Sequence, residues 1–208
     1  ELDMGEGSWL VLAQANFFLE DFDASLRSMG FLFEKAHGRS ISERLSEAVN
    51  GWEQLRKGRE VTLHAAQTIY GYMSGNGKKI ARGHKTINAD EEELFSLERL
   101  QEDFGLLATK DEIWHEAMDK LPATDRAYMT ALLRRGESFN GKPRIRLSTI
   151  HASKGGEADN VVLLTSLTPA ASREQNTDIH RVFYVAVTRA RENLFLMDGQ
   201  DYFENYLI

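Results

Sequence analysis

Residues 149–157 read T-I-H-A-S-K-G-G-E, a polar, glycine-bearing turn between two apolar runs. Ile145, Leu147 and Ile150 lead into it, and Val161, Val162, Leu163 and Leu164 follow it. Short apolar runs bounded by turn residues have the pattern of strands buried in a parallel sheet. In open sheets of that kind ligands bind beyond the carboxyl ends of the strands, which puts Thr149, His151, Ser153 and Lys154 in the ligand zone. Gly155 and Gly156 permit close backbone approach and dihedrals closed to other residues, and Glu157 offers a carboxylate suited to ribose hydroxyls. On pattern alone, a polar interstrand turn whose glycines serve only geometry fits equally well. A lone histidine such as His151 is more often structural than a ligand.

Working outward, residues 9–13 (W-L-V-L-A) predict another strand buried on both faces. A loop at Asn16 and a helix over 21–29, carrying Phe22 and Leu26 and stopped by Gly30, follow it. A second short strand is expected at 31–35 and a helix at 40–52, where Ile41, Leu45, Ala48, Val49 and Trp52 recur every three or four residues. The middle third is helical in period: 61–73, a segment marked by Ile113, Ala117 and Leu121, and a helix capped by Thr124 and ended by Gly136. Strand character returns at 145–150, 161–165 and 194–197. The expected organisation is an α/β part over 1–51, a mostly helical insert over 52–143, and the rest of the α/β part over 144–208. Only about ten residues separate the first two strands of the last part, short for a helical crossover. A single helical turn at 152–154 has to suffice.

Residues 177–192 predict an amphipathic helix, because Ile179, Val182, Phe183, Ala186, Val187 and Ala190 form one stripe. Arg181, Tyr184, Thr188 and Arg191 lie opposite, and Arg189 sits at the flank of the stripe. By pattern alone Arg189 reads as a solvated surface arginine.

Two segments taken together, T-I-H-A-S-K-G-G-E at 149–157 and Y-V-A-V-T-R-A-R-E at 184–192, resemble motifs V and VI of the UvrD/Rep/PcrA branch of superfamily 1 helicases. The family form T-x-H-x-x-K-G-x-E is matched at every fixed position; at Gly156 the family usually has leucine. The resemblance implies a RecA-like, P-loop NTPase-type parallel sheet flanked by helices, the second motor domain of an ATP-dependent DNA helicase moving 3′ to 5′ on single-stranded DNA. It further implies that Thr149, His151 and Lys154 face DNA, that Gly155 and Glu157 meet ATP, and that Arg189 is the arginine finger. A planar, permanently charged guanidinium suits the charge spread over a transferring γ-phosphoryl group. Magnesium ligands and the Walker A lysine are then expected on an N-terminal RecA-like domain of the same polypeptide, the chain being read as a piece of a longer one. The family form R-x-N-x-x-x-R after the first strand is kept only at Asn16. Gln14 and Glu20 stand where the arginines fall, the second of which the resemblance makes a γ-phosphate contact. That departure supports an alternative, a noncatalytic RecA-like nucleic-acid-binding or scaffolding module.

Composition bounds the rest. With 208 residues the chain can bury one good core and a small second lobe. No apolar run approaches the roughly 20 residues of a membrane span. The absence of cysteine removes disulfides and thiolate-bound zinc and fits a cytoplasmic protein. A net charge of −7 argues against a nonspecific nucleic-acid coat while permitting a local basic groove. The G-N-G-K at 75–78 lacks the G-x-x-x-x-G-K-[ST] spacing of a phosphate loop, and its basic surroundings (Lys78, Lys79, Arg82, His84, Lys85) read as a mobile solvated loop. The six histidines show no metal-ligand spacing, so no metal site is expected.

Overall fold

The run Trp9–Ala13 forms β1 and is buried at every position, as a strand covered on both faces must be. A computed structural model describes residues 2–36, 38–173, 177–198 and 203–207. After β1 comes a 3-10 turn, Asn16–Leu19, and then α1, Glu20–Met29. Gly30 ends α1 in the left-handed region at φ 72°; its amide donates to Arg27 O and that of Phe31 to Leu26 O, satisfying the last carbonyls. The strands β2 (Phe33–Lys35) and β3 (Gly38–Arg39) follow as an antiparallel pair.

The chain then enters a helical stretch. It comprises α2 (Glu43–Arg56, capped by the Ser42 hydroxyl), β4 (Val61–Thr62), α3 (Leu63–Gly71), β5 (Leu94–Phe95), α4 (Leu97–Asp103), α5 (Trp114–Ala117) and α6 (Ala123–Arg135). Strand character resumes with β6 (Ile145–Thr149) and β7 (Ala158–Leu164), followed by α7 (Pro169–Arg173), α8 (Thr177–Val187) and β8 (Ala190–Met197).

Two compact units result, one of Glu1–Ser40 with Thr130–Ile208 and one of Ile41–Met129. Both boundaries fall earlier than the composition shift at 51/52 and 143/144. In the second unit α2 packs on α3, and Gly51 admits the approach: a Cβ there would stand 3.1 Å from Ile69 Cδ1. Val61–Thr62 and Leu94–Phe95 pair as a two-stranded ribbon. The basic loop is pinned in this unit: Ile80 is buried and bridges Leu106, and Lys79 pairs with Glu112.

The first unit is built on a six-stranded sheet in the order β3-β2-β6-β1-β7-β8, parallel except for β3. Helix α8 covers one face, where Phe183 and Ala186 pack with Leu10, Leu12, Ile150, Val161 and Leu163. Alternation sends Val11, Ile145, Leu147 and Val162, all buried, to the opposite face. This is the α/β, RecA-like arrangement expected.

The structure departs from the sequence pattern at several elements. Helix α8 stops at Val187, so Arg189 occupies the turn before β8, and Ala190, Arg191 and Glu192 are strand residues. The apolar period runs on through Ala190, which is half-buried and pairs with Ala158 of β7. The helix expected near 113–121 is a single turn, Trp114–Ala117. The helix assigned to 40–52 runs Glu43–Arg56. Thr124 lies inside the first turn of α6 instead of capping it. Of the expected helix over 61–73, Val61 and Thr62 are strand residues.

Candidate functional site

Register locates the two ends of the sheet. Trp9 and Ala13 of β1 lie level with Ile145 and Thr149 of β6, and Trp9 and Leu12 lie level with Asn160 and Leu163 of β7. Thr149 is therefore at the carboxyl end, whereas Ala158 is at the amino end, roughly 20 Å away along the strand direction. Residues 150–157 make this journey while passing over β1, which lies between β6 and β7. They contain one helical turn, closed by Ser153 N donating to Thr149 O at 3.0 Å. Buried Ser153 fixes it further, its hydroxyl donating to Ile150 O at 2.7 Å and its carbonyl accepting from Gly156 N at 2.8 Å. Gly155 has φ 84°, the conformation that favours glycine there.

At the carboxyl end, the half-buried Thr149 accepts a hydrogen bond from Ala152 N at its Oγ1, 3.3 Å. His151 and Lys154 are exposed and make no hydrogen bond or ion pair among the described residues. Their donors are free for a ligand.

The amino end gathers the other predicted residues. Ala158 N donates to Arg189 O at 3.1 Å, which ties the start of β7 to the turn before β8. The Arg189 guanidinium is held by three neutral oxygens: Val185 O from Nε at 2.9 Å, Gly156 O from Nη1 at 3.4 Å, and Thr188 Oγ1 from Nη2 at 3.3 Å. No carboxylate among the described residues pairs with it, so its charge stays uncompensated. Glu157 is half-exposed and pairs with Arg191 Nε at 3.2 Å. That ion pair, absent from the sequence expectation, joins the end of one motif to the end of the other. Only the i, i+2 offset of Arg189 and Arg191 hints at it beforehand, and that offset is meaningless until the segment is known to be strand.

The Gly156–Glu157 peptide and Arg189 thus meet, with Gly155 one residue before them, whereas Thr149 belongs to the opposite end of the sheet. Gln14 and Glu20 also lie at the carboxyl end: Gln14 Oε1 accepts from Thr168 N beyond β7, and Glu20 opens α1 after β1. Positions 14 and 20, where the family form has arginines, therefore lie at the end of the sheet away from Arg189. Glu20 instead rims an apolar cavity of about 510 Å³ lined by Phe17, Phe18, Phe22 and Met197.

A glycine turn, a guanidinium held only by neutral oxygens and a half-exposed carboxylate thus stand together at the amino end of the sheet. Among the described residues no three potential metal ligands cluster, and no helix is long and apolar enough to cross a membrane. No individual curated protein matches the chain. The sequence profile of the UvrD-like helicase C-terminal domain matches residues 39–200, which takes in the crossover, Glu157 and Arg189. The chain belongs to the UvrD-like helicase C-terminal domain family.

Proposed function

We propose that this chain is the second motor domain of a helicase that couples ATP hydrolysis to movement on single-stranded DNA and to duplex unwinding. The observation that carries the proposal is the crossover over residues 150–157. It begins beside Thr149 and His151 at one end of the sheet and finishes against Arg189 at the other. In this reading Thr149, His151 and Lys154 hold the DNA strand, while Gly155 and Glu157 cradle the nucleotide. Arg189 swings from its neutral anchors onto the γ-phosphate held by an N-terminal RecA-like domain, which also supplies the Mg²⁺ ligands. Bound ATP would add charge-assisted hydrogen bonds that Arg189 lacks at present. Glu157 would trade its Arg191 partner for ribose hydroxyls, an exchange made easy by the exposure of that pair. The noncatalytic alternative rested on Glu20, which lies at the end of the sheet away from Arg189.

The test is Arg189→Ala in the intact helicase. Arginine fingers contribute about 10³–10⁵ in rate in other NTPases, so DNA-stimulated turnover should fall by about a thousandfold or more while ATP binding is largely kept. Unchanged turnover would refute the finger assignment.

A further inference from the structure

Gly156 lies between two guanidinium groups. Its carbonyl accepts from Arg189 Nη1 at 3.4 Å, and the side chain it lacks would begin 3.5 Å from Arg146 Nη1. Arg146 comes from β6, where it is the exposed residue between buried Ile145 and Leu147. Its register partner on β2 is Glu34, which it meets at 3.2 Å. That pair is solvent-exposed, with 52% of the Arg146 side chain and 41% of the Glu34 side chain accessible, so it binds the guanidinium weakly. The strand directs Arg146 to the same face of the sheet as Ile150, over which the crossover runs.

We infer that Arg146 is a second phosphate-binding cation of the nucleotide site, acting with Arg189 on one polyphosphate. The inference rests on the reading that ATP docks at Arg189. Two guanidinia brought to either side of one peptide repel each other, and an anion between them relieves the repulsion. Each presents a planar fork of donors matched to phosphate oxygens. Gly156 is the condition for this arrangement. A larger residue would occupy the space into which the Arg146 guanidinium reaches, and its Cβ would also stand 3.2 Å from Ser153 O. Position 156 thus controls how many cations the turn offers.

The experiment titrates the intact helicase with a fluorescent, nonhydrolysable ATP analogue and measures turnover alongside. Arg146→Gln should weaken analogue binding about tenfold, the scale of one charge-assisted hydrogen bond. Gly156→Leu should weaken it comparably by displacing the guanidinium, which keeps the inference testable if Arg146→Gln folds poorly. Glu34→Gln removes the surface partner alone and should retain full affinity. Wild-type affinity in a folded Arg146→Gln protein overturns the inference, as does a Glu34→Gln loss as large as that of Arg146→Gln. Normal turnover in Arg189→Ala would instead sink the functional reading itself, and this inference with it.

Discussion

Asp159 shows how a single residue sets the amino end of the sheet. The Ser8 amide donates to its carboxylate at 2.9 Å and the Ser8 hydroxyl at 2.7 Å, and Ser8 Oγ in turn accepts from Asp159 N at 2.9 Å. The amide bond foremost, then the hydroxyl, holds the carboxyl below its ordinary pKa, with Arg191 assisting. A carboxylate with a depressed folded-state pKa contributes stability that is complete above the unfolded value of about 3.9 and lost as pH falls through the lower folded value. Acidification below about pH 4 should therefore lower the melting temperature of the wild type more steeply than that of Asp159→Asn. Parallel melting curves across that range would contradict the assignment. Ser8 and Asp159 are 151 positions apart, and no local pattern pairs them. Arg189, by contrast, stands out in the sequence through the T-R-A it belongs to. Its three neutral oxygen partners do not, since they depend on where α8 stops.

Among the elements, those with strong local signals were read nearly to the residue. β1 matches its apolar run, and α1 ends at the predicted glycine. Gly30 has a second duty that periodicity cannot show. A Cβ there would overlap the Ala131 carbonyl of α6, in addition to straining a left-handed backbone. Gly30→Ala should cost about 3 kcal/mol, summing left-handed strain and overpacking, and denaturant unfolding can measure it. A loss under about 1 kcal/mol would show that α1 and α6 can part without penalty. The ribbon of β4 and β5 was invisible beforehand because two-residue strands have no period. α8 ends short of its apolar stripe for the opposite reason: the stripe continues into β8, where the half-buried Ala190 pairs with β7.

For the whole molecule, the α/β parts flanking a helical insert were legible as a pattern, because short continuous apolar runs differ in sequence from stripes of period 3.6. The boundaries were not, because α2 looks like a continuation of the sheet-bearing part yet packs on α3. The chain also contains no G-x-x-x-x-G-K-[ST] segment. The 208-residue chain alone should accordingly show no magnesium-dependent ATP hydrolysis above background. Phosphate-release assays with and without single-stranded DNA would check this, and appreciable turnover would require a nucleotide site of another kind.

The crossover from Thr149 to Ala158 has a mechanical consequence. Nine residue steps reach about 30 Å when fully extended. The helical turn closed by Ser153 gives back about 8 Å of that reach, since four helical residues rise only about 6 Å. The second turn, closed by Gly156 N on Ser153 O, takes up most of what remains, since the ends lie at opposite ends of the sheet, roughly 20 Å apart. The segment therefore has almost no slack. A displacement at His151 cannot be absorbed within it and must either pull on Gly156 or unwind the turn that Ser153 holds.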